Sequence, residues 1–186
     1  MKFIPIKKLK TSLLGMIFGI SIGFGYEEFY GIGTWYSFET PTESMSVCFT
    51  PPSGCGSLIA REVIMAQKNI YVQAYGLTSY SIKGQLIAAS RRGVKVRAIL
   101  DGSNFSGSKS VVDDLRNAGV EVTRDRVSGI AHNKVIIIDE RKVITGSFNF
   151  TEAADKRNAE NVLLIQDKRI ASEYLANWMR RWEVSQ

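Results

Sequence analysis

The stretch HNKVIIIDERKVITGSFN, residues 132–149, decides the fold prediction for this chain. It contains two short β-branched runs, KVIIID and KVITGS, which predict two successive strands. Because side chains alternate between the faces of a strand, His132 and Lys134 would share one face if the first strand reaches back to His132. We therefore expect the imidazole and the ammonium group to project together toward one end of a sheet.

The residues after the second run extend the same group. Gly146 permits a turn at the end of the strand, and Ser147 and Asn149, two positions apart, again share a face. Four polar side chains are therefore predicted to converge on one point.

The flanking sequence alternates helical and strand patterns, which predicts an α/β fold: a single-domain α-β-α sandwich with a mixed sheet between helices. Gly93 and Gly119 follow helical segments, as expected of C-terminal stops. In chain order the predicted segments are SLIAREVIMAQ (helix), NIYVQAYG (strand), SIKGQLIAASRRG (helix), VKVRAIL (strand), residues 110–117 (helix), VEVTRD, the two runs above and AENVLLIQ (strands), and IASEYLANWMRRW (helix).

Length and composition fit one globular domain, since the chain has 186 residues of which 45% are hydrophobic and 23% charged. We expect a targeting segment or membrane anchor over residues 1–25, a linker over residues 26–46 and the folded domain over residues 47–186. The targeting segment combines a basic start with the apolar run LLGMIFGISIGF, which is short for a membrane span. Whether this segment is cleaved or retained as an anchor, it predicts that the domain is periplasmic or secreted.

The net charge of +6 is weak evidence for a polyanionic partner, because four of the lysines lie in the first 25 residues, which contain no acid. Residues 26–186 carry 20 Lys and Arg against 18 Asp and Glu, a net of +2. Local basic clusters could contact phosphates or simply face solvent; they are Arg91, Arg92, Lys95, Arg97, Arg124 and Arg126. Trp178 and Trp182, four residues apart, are expected to pack in the core or an interface.

Both cysteines lie in the turn-rich stretch CFTPPSGC. Cys48 and Cys55 could close a small disulfide loop in an exported chain, or remain as two partly buried thiols. Two thiols alone do not form a zinc site, so no metal site is expected.

The spacing His132-x-Lys134-x4-Asp139-x6-Gly146-Ser147-x-Asn149 resembles the HKD motif of the phospholipase D superfamily. Residues 46–183, roughly, also resemble the small bacterial endonucleases of that superfamily, which carry one motif per chain. The resemblance implies a phospholipase D-like fold and hydrolysis of phosphodiesters without a metal or other cofactor.

The residue types suit that chemistry. Phosphodiester cleavage needs a nucleophile, a proton for the leaving oxygen, and positive charge around the phosphoryl group. His132 would attack phosphorus and form a phosphohistidine. Lys134 would supply the charge, and Ser147 and Asn149 would donate hydrogen bonds to the phosphate oxygens.

One imidazole cannot attack phosphorus through an unprotonated nitrogen and also protonate the leaving group in the same step. His132 is the only histidine of the chain. A two-fold homodimer with the active site shared across its interface would supply the second imidazole, as the resemblance also implies.

Two carboxylates complete the list of candidate catalytic residues. Glu160, in the stretch NAEN, is the candidate to hold the far nitrogen of His132 and fix its tautomer. Asp139 is expected toward the opposite end of the strand that carries Lys134, mainly as a structural residue of the turn, with a smaller catalytic role left open.

Three functions remain open from the sequence. The first is a homodimeric endonuclease for DNA, and also RNA, with low sequence specificity. The second keeps the chemistry but acts on a membrane phospholipid such as cardiolipin, with residues 1–25 holding the domain near the membrane. The third is a non-catalytic nucleic-acid-binding protein in DNA uptake or transfer, for which a nucleophilic imidazole would be unnecessary.

Overall fold

The computed structural model describes residues 44–52, 54–106 and 111–186. The expected targeting segment, residues 1–25, and nearly all of the expected linker lie outside these ranges. Within them, no helix is both long and apolar enough to cross a membrane.

The described residues form seven strands and five α-helices. The strands are β1 (Ser44–Thr50), β2 (Asn69–Ala74), β3 (Lys95–Leu100), β4 (Glu121–Arg124), β5 (Lys134–Ile138), β6 (Lys142–Gly146) and β7 (Glu160–Gln166). The helices are α1 (Cys55–Met65), α2 (Tyr80–Arg91), α3 (Val111–Asn117), α4 (Glu152–Lys156) and α5 (Lys168–Val184), and a 3₁₀ turn spans Gly102–Phe105.

All seven strands join one sheet in the order β1-β7-β6-β5-β2-β3-β4. The pairs β2–β3 and β3–β4 are parallel, whereas the pairs from β2 through β5, β6 and β7 to β1 are antiparallel. The predicted mixed sheet is therefore confirmed, with β5 at its centre.

Side-chain alternation divides the core between the two faces of the sheet. On β5, Ile136 and Ile138 belong to the cluster that packs against α1, α2, α3 and α4. Val135 and Ile137 belong to a second cluster, which packs against α5. Because both faces of β5 are covered, every residue from Lys134 to Ile138 is buried, as the apolar run KVIII predicts.

Helix α5 is held on its face by Trp178, which is 1% exposed. Its indole N–H donates a 2.9 Å hydrogen bond to the carbonyl oxygen of Val72, and its ring stacks on Trp182 with 5.0 Å between centroids. Both tryptophans thus pack within the domain, as predicted from their spacing.

Strand β1 starts at Ser44 and so includes the last three residues of the expected linker. It pairs with β7 as the outermost strand of the sheet. A disulfide joins its Cys48 to Cys55 in the first turn of α1, with the Cα atoms 5.8 Å apart. Closing a loop of this length contributes about 2–3 kcal/mol in the chain-entropy model. The disulfide therefore fixes the edge strand to the helical layer.

The turn between β5 and β6 depends on Asp139, whose φ of 51° lies in the left-handed region that aspartate tolerates. Its carboxylate accepts hydrogen bonds from the backbone N–H groups of Gln67, Lys68 and Asn69, at 2.9, 2.7 and 3.1 Å. Five residue steps along the strand separate it from Lys134, a distance of about 16 Å. These contacts are those of the structural residue that was expected: Asp139 anchors the start of β2 at the far edge of the sheet.

We expect Asp139→Ala to lower the free energy of unfolding by about 1–3 kcal/mol, because three backbone donors lose their acceptor and alanine disfavours a positive φ. Urea denaturation would measure this. Asp139→Asn, which keeps a carbonyl acceptor and tolerates the same φ, should lose less. Folded Asp139→Ala protein should keep its turnover rate. A large loss of turnover at unchanged stability would instead support the catalytic role that the sequence leaves open.

Candidate active site

The candidate residues gather along one edge of the sheet, meaning the row of strand ends where β2 and β6 end and β5 and β7 begin. Ala74 pairs with Lys134 across β2 and β5, and Val135 pairs with Thr145 across β5 and β6. Neighbouring strands lie about 5 Å apart. Residues just beyond these pairs, on four adjacent strands, are thus brought side by side.

Lys134 is the first residue of β5 and only 7% exposed. Its Nζ donates a 2.7 Å hydrogen bond to the carbonyl oxygen of His132 and lies 5.2 Å from the centre of the Tyr75 ring. Burial lowers the pKa of Lys134 below its ordinary value, and the negative charge of Glu160 partly offsets this effect. The ammonium group is therefore fixed in place, with two of its three N–H groups left for an anion.

His132 precedes β5 and so does not lie on the strand, contrary to the extended strand that would place it on the face of Lys134. Its side chain is exposed, and its ring contacts the Tyr75 ring edge-on with 4.7 Å between centroids. The backbone N–H of Tyr75 donates to the carbonyl of Asn133 at 2.8 Å. The imidazole is thus positioned by the loop and by the end of β2.

Asp101, buried at the end of β3, holds the loop that leads to His132. Its carboxylate accepts hydrogen bonds from the N–H groups of Ala131 and Ser103, both at 2.9 Å. Burial alone would raise the pKa of Asp101, but these backbone hydrogen bonds outweigh it and hold the pKa below its usual value. The carboxylate therefore stays charged and keeps the loop anchored near neutral pH.

Gly146 brings the end of β6 unusually close to β7. Its φ is 149°, and a Cβ atom at this position would lie 2.2 Å from the carbonyl oxygen of Asn161. Only glycine fits both the conformation and the space. The backbone N–H of Ser147 then donates to the same carbonyl at 3.1 Å, which directs the serine to this edge of the sheet.

Within one chain, Glu160 contacts Ser147 and Asn158. Its carboxylate accepts hydrogen bonds from the Ser147 hydroxyl at 2.6 Å and from the Asn158 side-chain amide at 3.0 Å, and not from the His132 of the same chain. The Ser147 oxygen in turn accepts from the backbone N–H of Asn161 at 3.1 Å. Glu160 therefore orients the serine and places a negative charge near Lys134.

Asn149 lies next to Gly76, in the segment that follows Ser147. The neighbouring Phe150 forms an isolated bridge with Leu77 and donates its N–H to the carbonyl of Gly76 at 3.0 Å. Among the described residues, the Asn149 Oδ1 atom is buried without a hydrogen-bond partner. An orphaned polar atom of this kind is costly, and Asn69 Oδ1, at the opposite edge of the sheet, is a second one among the described residues.

This edge of the sheet therefore combines an exposed imidazole, a fixed ammonium group, a serine hydroxyl and a carboxamide. Lys134 and Asn149 are held by buried surroundings, whereas His132 and Ser147 are open to solvent. Such a set can bind a tetrahedral anion with hydrogen bonds and attack its central atom with a ring nitrogen.

The predicted basic clusters divide between the two edges of the sheet. Arg91, Arg92 and Lys95 lie at the far edge, where α2 ends and β3 begins, and Arg92 donates to the carbonyl of Ile64 at 2.9 Å. Arg97 pairs with Glu121 at 3.0 Å. Of these basic residues, only Arg124, the last residue of β4, and Arg126, two positions later, lie toward the edge that carries His132.

Sequence reasoning missed four residues of this site: Tyr75, Asp101, Asn158 and Asn161. Tyr75 and Asp101 directly follow the observed strands β2 and β3. A search for polar and aromatic residues at the carboxyl ends of strands would have found them. Asn158 and Asn161 flank Glu160 in the stretch NAEN and carry no independent signal.

Comparison with known proteins points to one family. Residues 59–182 match the family model described as "Cardiolipin synthase, PLD-like domain". The chain is 54% identical over 143 residues to a protein of Rickettsia conorii named phospholipase D, covering 77% of this chain and 72% of that one. It is 33% identical over 148 residues to the mitochondrial cardiolipin hydrolase of Xenopus laevis, covering 78% and 70%.

A solved structure gives the same result. The chain superimposes on Nuc from Salmonella typhimurium, described as a phospholipase D family member, with a TM-score of 0.72 and 32% identity. The match covers 77% of this chain and 97% of Nuc. Sequence and fold therefore agree, and the chain belongs to the phospholipase D superfamily of phosphodiester hydrolases.

Proposed function

We propose that this protein is an endonuclease that cleaves DNA, and also RNA, with little sequence preference and without a metal ion, through a phosphohistidine at His132. The observation that carries phosphodiester cleavage is that a solvent-exposed imidazole and the fixed ammonium group of Lys134 both contact the Tyr75 ring. The resemblance of residues 46–183 to small endonucleases favours a nucleic acid as the substrate. A phosphodiester bound at Lys134 would lie within reach of the ring nitrogen that attacks it.

In the first step a ring nitrogen of neutral His132 attacks the phosphorus atom. The N–P bond forms while the P–O bond to the leaving group breaks, and a second, protonated imidazole gives its proton to the departing oxygen. Lys134, Ser147 and Asn149 stabilise the charge on the remaining phosphate oxygens.

In the second step a water molecule attacks the phosphohistidine. The second imidazole, now neutral, accepts a proton from this water as the new O–P bond forms. The N–P bond breaks, its electron pair returns to His132, and a phosphate monoester leaves. Each imidazole ends in the protonation state in which it began.

A homodimer would supply the second imidazole, since the chain has a single histidine. His132 and Ser147 are both exposed, as residues that face a shared pocket must be. Because Glu160 does not contact the His132 of its own chain, a carboxylate–imidazole contact in the dimer would have to join Glu160 to His132 of the partner subunit. An isologous interface across this edge would form two such contacts at once.

Hydrolysis of a phospholipid is the second candidate function. It is favoured by the names of two relatives, phospholipase D and mitochondrial cardiolipin hydrolase. The group at His132 recognises a phosphodiester and does not by itself select a nucleic acid or a lipid. Assaying one preparation with plasmid DNA, RNA and cardiolipin vesicles in parallel separates the candidates, and release of lipid products alone would overturn the nuclease proposal.

We further propose that the domain acts outside the cytoplasm, either released or held at a membrane by residues 1–25. The basic start and apolar run of that segment support this location. The disulfide between Cys48 and Cys55 also supports an oxidising compartment.

We expect His132→Ala to lower kcat by at least about 1,000-fold, because the nucleophile is removed. Wild-type activity on plasmid DNA should persist in excess chelator. Labelled substrate should leave a phosphoryl adduct that is trapped on wild-type protein by an alkaline quench and is absent from His132→Ala. Ser128→Ala, an exposed change in the same loop, serves as the control. A strict requirement for a divalent metal would overturn the mechanism.

The affinity of His132→Ala protein, which has no imidazole to titrate, for an oligonucleotide should fall on the alkaline side at a pH below 10.5, because burial lowers the pKa of Lys134 from that value and the phosphate needs its charged form. Adding Glu160→Gln should move this fall to lower pH, since Glu160 is the group that raises the pKa of Lys134. Adding Lys134→Arg keeps the positive charge and should remove the fall, at a reduced affinity. Fluorescence anisotropy over a pH series measures all three, and identical profiles would contradict the role of Lys134.

Mixing subunits tests the shared site. After equal amounts of wild-type and His132→Ala chains exchange subunits, a composite site leaves about one quarter of the all-wild-type activity, whereas independent sites leave about one half. Arg91→Ala chains, which are altered at the opposite edge, should leave the activity of the mixture unchanged in the same experiment. A result of one half would rule out a site that needs both imidazoles.

A further inference from the structure

A pocket of about 310 Å³ adjoins the catalytic group, between the segment after β2 and the segment after β3. This volume lies at the lower end of the range of roughly 300–1,000 Å³ typical of small-molecule sites. The residues that matter for its chemistry are Tyr75, Gly76, Tyr80, Lys83, Ser103 and Ser106.

The pocket begins at the catalytic residues themselves. Tyr75 forms part of its wall and also contacts the His132 ring and lies below the Lys134 ammonium group. Gly76, beside Asn149, lines it as well. A substrate whose phosphate lies at His132 would therefore extend the group on one side of that phosphate into this pocket.

Tyr80, at the outer wall, is 78% exposed although it is a large aromatic residue. It is the first residue of α2, and Lys83, one turn later, lies with its Nζ 5.4 Å from the centre of the ring. A cation over one face holds the ring in place and leaves the rest of its surface free for stacking. An exposed, fixed aromatic ring is the usual platform for a nucleobase.

The charge of the pocket favours a neutral group over a second phosphate. Lys83 is the one cationic side chain among the described lining residues, and it is already paired with the carboxylate of Asp114. The remaining polar lining consists of hydroxyls and amides, including Ser103 and Ser106. These groups hydrogen-bond the edges of a planar base, whereas an acyl chain would need a continuous apolar wall.

We propose that this pocket binds the nucleobase next to the scissile phosphate, with Tyr80 stacking on it. The inference rests on the proposed nuclease function and adds a binding subsite to it. Since the phosphate and the base of one nucleotide are joined by a single sugar, a pocket that starts at Tyr75 is within reach of the adjoining base. Stacking is tolerant of base identity, which agrees with low sequence preference.

The test uses an oligodeoxynucleotide with one phosphodiester among uncleavable methylphosphonate linkages, with or without an abasic residue on either side of it. For the wild type, an abasic residue on one side should raise KM about tenfold and leave kcat unchanged. Tyr80→Ala should raise KM for the intact substrate by the same factor and lose the distinction between the intact and abasic substrates. Tyr80→Phe, which keeps the ring, should restore this distinction. Arg91→Ala, at the other end of α2, is the control.

Binding of the same oligonucleotides to His132→Ala protein, followed by fluorescence anisotropy, separates this inference from the nuclease proposal. If the wild type cleaves nothing but His132→Ala protein still prefers the intact oligonucleotide through Tyr80, the subsite stands and the nuclease proposal fails. Equal binding of intact and abasic oligonucleotides overturns the subsite. So does a Tyr80→Ala variant that loses hydrolysis of cardiolipin vesicles and keeps oligonucleotide binding, because the pocket would then take a lipid.

Discussion

The constraint on which the site depends is a lysine at the head of a fully buried strand. β5 lies at the centre of the sheet with helices over both faces, and its first residue is Lys134. Withdrawing an ammonium group from water costs several kcal/mol unless other groups compensate. Here one hydrogen bond to the His132 carbonyl, the Tyr75 ring and the charge of Glu160 compensate in part. The pKa of Lys134 stays below its ordinary value, so the compensation is incomplete and the cation lacks full solvation.

The same hydrogen bond links the chemistry to the fold. Because Nζ of Lys134 donates to the carbonyl of His132, the residue that leads into the strand is tied to the strand's own first side chain. Asp101 holds the loop one residue earlier, through the N–H of Ala131. The imidazole itself stays exposed, with its backbone fixed on both sides. A side chain that acts as a nucleophile needs this combination of a rigid backbone and an accessible ring nitrogen.

The sequence predicted the elements of the sheet because their patterns are local: β5 is a continuous apolar run, and α5 is amphipathic. It did not predict β1, whose exposed residues give no burial signal and whose place depends on pairing with β7, over a hundred residues away. His132 was expected on the strand, but pairing with Ala74 ends at Lys134. The partner of Glu160 was also out of reach, because the close approach at Gly146 that brings Ser147 to it is a property of two strands together.

The residues of the motif therefore have two different physical roles. Lys134 and Asp139 lie at opposite ends of one strand, and the carboxylate holds three backbone N–H groups at the edge away from the chemistry. Under the proposed mechanism Lys134 would contact only the phosphate of a substrate and Asp139 none of it, so neither end of this strand would distinguish a nucleic acid from a lipid. Discrimination would then come from the segments that follow β2 and β3, which form the wall beside His132. Relatives with this fold and different names are what such a division between a fixed phosphate site and a variable wall would produce.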